Sequence, residues 1–145
     1  MTTNIFDLYA SNADKETAGT WVYPAGEYAE APAFKIARAG GANKKFDTIQ
    51  RAGLKPFQRL IQAQSKNLSQ ELMEKIQEVN KHAFVGACML DWKNVFDKEG
   101  NQVAFSKEAA AKFMDQLPAL YEDLFGYANS IATFQDEEIE ADSGN

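Results

Sequence analysis

The segment Ser69–Trp92, "SQELMEKIQEVNKHAFVGACMLDW", constrains the fold more than any other part of the chain. Leu72, Met73, Ile76, Val79, Ala83, Ala87 and Leu90 follow the period of a helix face, with Val85 slightly off it. The first half is amphipathic, whereas "AFVGACML" is apolar on every side. A helix of that kind starts on the surface and ends inside a core. Ser69 is placed to cap its N-terminus. The rest of the chain must therefore wrap the far end of this helix. A length of 145 residues suffices for one such core. No apolar run approaches the roughly 18 residues that a membrane-spanning helix needs. "MTTNIFDLYASNADKE" lacks the basic-then-apolar order of a secretory signal. Cys88 is the single cysteine, so no internal disulfide is possible, and a cytoplasmic setting is the default.

Upstream, "IFDLYA" reads as a helical turn or an ordered arm. "TWVY" and "AFKIARA" read as two strands, bounded by Pro-Ala-Gly and Gly-Gly. The long alanine-rich connection between them is expected to be a disordered loop. Asn43 is a candidate cap for the helix that follows. Phe46, Ile49 and Gln50 repeat at helical spacing, as do Phe57, Leu60 and Ile61. Gly53 and Pro56 between the two sets predict a break over 53–56, with Pro56 able to open a second helix.

Downstream lies "LDWKNVFDKEGNQVAFSKE". As a calcium loop it fails: counting back from Gly100, Asp97 is the one good ligand, and position 12 is Ser106 rather than glutamate. As a turn it succeeds. "NVF" and "QVAF" are β-prone, and Asp97, Gly100 and Asn101 are tight-turn residues. Trp92 then packs at the apolar end of the long helix. Ser106 caps a further helix with Glu108 in its first turn. Pro118 opens a last one, whose stripe of Leu120, Leu124, Tyr127, Ile131 and Phe134 predicts a helix running on to Phe134. "QDEEIEADSGN" carries five acids and one large apolar residue, and residues 135–145 are expected to form a disordered acidic tail beyond a single domain over 1–134.

The charge is unevenly spread. Residues 35–66 hold eight Lys/Arg against Asp47 alone, although the whole chain is at −6. Lys44, Lys45, Arg51, Lys55 and Arg59 define a basic face. Such a face suits acidic helices or copies of the chain itself. It also keeps open a nucleic-acid-binding accessory role, with Phe46 and Phe57 as stacking residues. Phe57, Leu60, Met73 and Phe113 are candidate apolar contacts for a partner helix. His82 has no second histidine to share a metal, Cys88 sits in an apolar run, and adjacent Glu122 and Asp123 point apart on a helix. The expectation is a non-enzymatic protein without catalytic residues, metal or cofactor.

The order of these devices resembles the tail assembly chaperones of long-tailed bacteriophages. Trp92, Val95, Asp97, Gly100, Phe105, Ser106, Leu117, Pro118 and Phe134 match the family's pattern of tryptophan, Asp/Gly turn, capped helix, Leu-Pro and last helix. Upstream, Ile36, Arg38, Ala39, Gly40, Asn43, Lys44 and Phe46 match its strand and basic-aromatic helix start. The resemblance covers roughly residues 34–140. It implies a chaperone that binds the tape measure protein, keeps it soluble, acts as a homo-oligomer and is displaced by tail-tube protein. Such a protein works in the host cytoplasm and is absent from the mature virion. The fold expected is α+β and predominantly helical: a small N-terminal β-hairpin, four to five helices, and a short β-turn near 93–105.

Overall fold

A computed structural model describes residues 4–136. Its helices are α1 (Ile5–Tyr9), α2 (Ala13–Ala18), α3 (Lys44–Leu54), α4 (Gln58–Ala63), α5 (Gln70–Ala87), α6 (Lys107–Gln116) and α7 (Pro118–Ala128). Single 3₁₀ turns occupy Lys55–Phe57 and Ile131–Phe134. Strands β1 (Thr20–Val22), β2 (Ala33–Ile36) and β3 (Met89–Lys93) form one antiparallel sheet in that order. The fold is α+β and mostly helical.

Two features build the core. The apolar end of α5 brings Ala83, Phe84, Val85, Ala87 and Cys88 against the sheet residues Phe34, Ile36, Met89 and Trp92. Over this lie Ala110 and Met114 of α6 and Leu124 and Ala128 of α7. Phe84 is fully buried, and its ring meets Tyr121 at 5.6 Å and Phe125 at 5.7 Å. Ser69 and Ser106 cap α5 and α6 by accepting from the Leu72 and Ala109 N–H groups, and Pro118 opens α7.

Several expectations need correction. The long helix stops at Ala87, and "MLDWK" is a strand. The run "AFVGACML" that leads into it is apolar throughout and carries no period to separate helix from strand. Pairing with β2 decides, setting Phe34 opposite Trp92 and Lys35 opposite Asp91. The sheet is thus completed from the middle of the chain. The 23–32 connection is ordered: Tyr23 and Tyr28 carbonyls close turns at Gly26 and Ala31. Ala31 is buried, and its carbonyl accepts from Asn94 Nδ2 at 2.8 Å. Asn43 makes no side-chain cap. It donates instead to the carbonyls of Arg38 (2.8 Å) and Ala87 (3.0 Å). The last helix ends at Ala128, before the 3₁₀ turn that buries Phe134. The expected acidic tail lies largely outside the described residues, but its first two members are fixed. Gln135 Nε2 donates to the Leu8 and Ala10 carbonyls, and Asp136 accepts from Asn12 Nδ2.

The break near Pro56 falls at Lys55–Phe57, and α3 runs straight through Gly53. There α3 and α5 approach so closely that a Cβ on Gly53 would stand 2.7 Å from Val79 Cγ1. One turn back along α3, a Cβ on Gly86 would stand 3.1 Å from Ile49 Cδ1. Gln50 donates to Asn80 between these points, at 2.7 Å.

Glu16 binds the N-terminal segment to this framework. Its carboxylate accepts from Ser11 Oγ (2.7 Å), from the Ala42 N–H (3.0 Å) and from the Arg38 guanidinium. Burial pushes its pKa up. Hydrogen bonds from Ser11, Arg38 and Ala42, with the Arg38 charge, outweigh that and hold it below 4.5.

Gly53→Ala should destabilise by about 1 kcal/mol in urea unfolding despite its better helix propensity, because branched Val79 cannot turn aside. Adding Val79→Ala should recover the loss. Glu16→Gln should lower stability by about 2 kcal/mol at neutral pH, a value moderated by the partial exposure of Arg38. A lowered carboxylate pKa stabilises above the unfolded value and loses that contribution as pH falls through the folded one. The gap between wild type and Glu16→Gln should therefore close below about pH 4, read as converging Tm values.

Candidate partner-binding surface

Trp92 anchors one exposed apolar feature of the surface. Its indole is buried and its Nε1–H donates to the Val103 carbonyl at 2.7 Å. The rings of Phe105 and Phe113 stand edge-on to it at 5.2 and 5.4 Å, and Phe34 does so at 6.2 Å. Val103 N–H donates in turn to Val95, and Phe96 bridges to Gln102. The turn between them closes as its residues dictate. Asp97 Oδ1 accepts from the Asn101 N–H at 2.8 Å, and Gly100 adopts φ 84°, a region that resists side chains.

This hairpin turns Phe96 outward, 53% exposed, beside Leu117, 46% exposed where α6 hands over to α7. Half-buried Phe113 lies between them as the floor of a groove of about 570 Å³, with Asp97, Lys98, Glu99 and Gln116 at its rim. Of the residues proposed from sequence as partner contacts, Phe113 is thus placed in an apolar groove, though anchored to Trp92. Phe57, Leu60 and Met73 lie elsewhere, on the segments flanking the turn between α4 and α5. Leu60 and Met73 are exposed there and Phe57 is half-buried. Of the four, Phe113 alone lines this groove. Phe96 carries no signal of its own in the sequence, where "NVF" reads only as a β-prone piece beside a tight turn. Trp92, Asp97, Gly100, Phe105, Ser106 and Pro118 all act in packing, turns and caps around the groove.

The basic face is a stripe. Lys44, Arg51 and Lys55 are seven and four residues apart, so they share the side of α3 opposite Ile49 and Gly53, which meet α5. Arg51 pairs with Asp47 at 3.1 Å, both exposed. Lys45 lies on the flank, and Arg59 continues onto α4 as an exposed residue. Phe46 cannot stack a base: it is buried with its ring 6.0 Å from Phe125.

A second groove, of about 360 Å³ between α5 and α6, holds charged side chains that are already engaged. Lys81 bonds Asp115 (3.1 Å) and Glu78 (3.5 Å), beside exposed His82. Lys107 Nζ donates to the carbonyls of Val85 (2.9 Å), Gly86 (3.2 Å) and Met89, closing the C-terminus of α5. Burial lowers the Lys107 pKa; Cys88 opposes this and Lys45 adds to it. Nothing in "SKEAAAK" marks this role, which arises only when α6 packs back on α5. Burial pushes the Cys88 thiol up to about 12, leaving it protonated at neutral pH.

The fold and its surface define a small helical α+β domain with an open apolar groove and a basic helix face. The YdaY prophage protein family matches residues 42–145, well over half of the chain, and the chain belongs to that phage-related family. The match takes in α3 onward and leaves α1, α2, β1 and β2 outside it. No curated protein and no solved structure matches the chain.

Phe96 and Leu117 should be expendable for folding while Phe113 is not. Phe96→Ser with Leu117→Ser should change unfolding free energy by no more than about 0.5 kcal/mol. Phe113→Ala should cost about 2 kcal/mol, less than a fully buried phenylalanine, in the same denaturant titration.

Proposed function

We propose that this phage-family protein is a tail assembly chaperone, one that binds the tape measure protein without catalysis and keeps it soluble until the tail tube forms around it. The observation that carries the reading is the groove of Phe96, Phe113 and Leu117. An exposed apolar trough with a charged rim suits the apolar stripe of an amphipathic helix, and a tape measure protein is a long series of such helices. The order of Trp92, the Asp97–Gly100 turn, the Ser106 cap and Leu117-Pro118 supports it, as does membership of a prophage family. On this reading copies of the chain act together on one long partner, tail-tube protein displaces them, and the work is done in the host cytoplasm.

Co-expression with the tape measure protein of the same phage tests it. The wild-type chain should raise the soluble fraction of that protein several-fold. Phe96→Ser/Leu117→Ser should abolish the gain while remaining folded. Equal insolubility with and without the chain would overturn the proposal. The stripe of Lys44, Arg51 and Lys55 favours a second reading, a nucleic-acid-binding accessory protein. Its signature would be DNA retention at low salt that disappears when Lys44, Lys45, Arg51 and Arg59 are changed to Glu.

A further inference from the structure

We infer that α1 of one copy seats in the Phe96–Phe113–Leu117 groove of another, so that a second copy of the chain covers both surfaces. The inference rests on the geometry of helix and groove and is independent of which protein later takes the groove.

The helix is built to be covered. α1 buries none of its five residues, and four of them are large and apolar: Ile5, Phe6, Leu8 and Tyr9 are 65, 72, 49 and 71% exposed. Phe6 and Tyr9 alone leave on the order of 300 Å² in water, the size of patch that marks a contact site on a monomer. A helix of five residues does not persist in isolation. Polar contacts hold this one. Asn4 Oδ1 accepts from the Phe6 N–H at 2.9 Å, and Gln135 Nε2 donates to the carbonyls of Leu8 (2.9 Å) and Ala10 (3.1 Å). The chain thus fixes an apolar helical turn that no described residue covers, which is preorganisation for a contact outside itself.

Spacing and charge match the groove. Ile5, Leu8 and Tyr9 stand at i, i+3 and i+4, the anchor pattern of a helix laid in an apolar groove. Asp7, the one charge of α1, falls on the opposite face, so docking brings no carboxylate against Asp97 and Glu99 at the rim. Exposed Phe96 and Leu117 flank half-buried Phe113 and receive the anchors.

Position makes the contact one between copies. Gln135, which holds α1, follows the 3₁₀ turn at Ile131–Phe134, and that turn touches β1 and α2. β1 is one edge of the sheet; the hairpin that carries Phe96 leaves β3, the other edge. Helix and groove are therefore attached at opposite edges of the sheet, and α1 lines no part of its own groove. A donor and an acceptor on different parts of one chain make a heterologous contact, which repeats head to tail into a ring or a filament. One helical turn in one groove falls well short of the roughly 1,200 Å² of a stable interface, so free copies associate weakly. A partner helix that takes the groove displaces α1.

Photo-cross-linking of the full chain tests the inference. A benzophenone side chain replaces Phe6, and ¹⁴N- and ¹⁵N-labelled protein are mixed equally at about 0.5 mM, enough to fill most of a contact with a Kd of about 0.1 mM. The expected result is linkage to residues 96–99 or 113–117, with light–heavy pairs as abundant as light–light and heavy–heavy pairs together. Phe96→Ser/Leu117→Ser should cut the yield several-fold. Absence of links, or links spread evenly over the surface, would overturn the inference. Same-isotope pairs alone would overturn it too, because they would place α1 in its own groove. Association supplies a second readout. Phe6→Ser/Tyr9→Ser and Phe96→Ser/Leu117→Ser should each stay monomeric in sedimentation velocity at that concentration, since each lacks one half of the contact. Their equimolar mixture should form a dimer and nothing larger, because one intact α1 meets one intact groove. A mixture that stays monomeric, or self-association that survives either pair of substitutions, would count against the docking. Neither experiment contains the tape measure protein, so their outcome is separate from that of co-expression.

Discussion

The corner at residues 38–43 is the constraint on which the rest of the molecule depends. Five parts of the chain meet there. Arg38 N–H donates to the Glu16 carbonyl, Ala37 N–H to Cys88, and Ala39 N–H to Ala128, so α2, the end of α5 and the end of α7 are tied to the residues leaving β2. Asn43 adds the Arg38 and Ala87 carbonyls. The Gly40 and Gly41 backbones, at φ 128° and 56°, turn the chain from strand to helix. A Cβ on Gly41 would meet Arg38 and Glu16 side-chain atoms at 2.8–2.9 Å. This explains the loss of a conventional cap at Asn43. Its amide is worth more as a donor to two carbonyls at the crossing of strand and helix, where an unpaired carbonyl would be costly.

From that corner two aromatic groups extend in different directions, and the surface follows from them. Phe46, Phe84, Tyr121 and Phe125 fasten α7 across α3 and α5. Phe34, Trp92, Phe105 and Phe113 fasten the 95–103 hairpin and α6 to the sheet. The second group uses up the inner faces of its elements, so Phe96 and Leu117 have nowhere to go but outward. The groove is a consequence of how the hairpin is anchored: the indole N–H grips Val103, and alternation sends the preceding strand's Phe96 to solvent.

How much of this could be read from residues alone depends on whether the cause was local. Ser69, Ser106, Pro118 and the Asp97–Gly100 turn act within a few residues of themselves, and each was legible. So was the break beside Pro56, since a ring clash needs no neighbour. The strand at Met89–Lys93 was hidden because its partner lies more than fifty residues upstream and its composition suits a helix equally well. Gly53 looked like a helix breaker but serves a close approach to Val79, a fact that belongs to α5. Lys107, closing α5 from another helix, left no trace in its own surroundings. For the candidate surface, Phe113 was found through its place on a helix. Phe96, in a hairpin, and Leu117, between helices, follow no periodic pattern; Leu117 stands out in the sequence only through the Leu-Pro step, and Phe96 not at all.

The family match begins at residue 42, yet the matched part cannot make its surface alone. Among the described residues β3 pairs only with β2, and the Trp92 ring that anchors the groove rests edge-on against Phe34, both supplied by the residues before the match. The first turn of α3, at the other end of the same sheet, takes its position from Glu16 and Arg38 through Ala42 and Asn43. Free variation before residue 42 is therefore confined to side chains that face solvent, such as Tyr28 and those of α1. Phe34, Ile36, Arg38 and Glu16 are bound to the matched part by packing, hydrogen bonds and charge. A chain that kept residues 42–136 and lost these four would expose the undersides of Trp92 and Met89 and leave the Ala42 N–H without its carboxylate. The groove and the basic stripe, on different elements, would then fail together, because one corner and one small sheet position both.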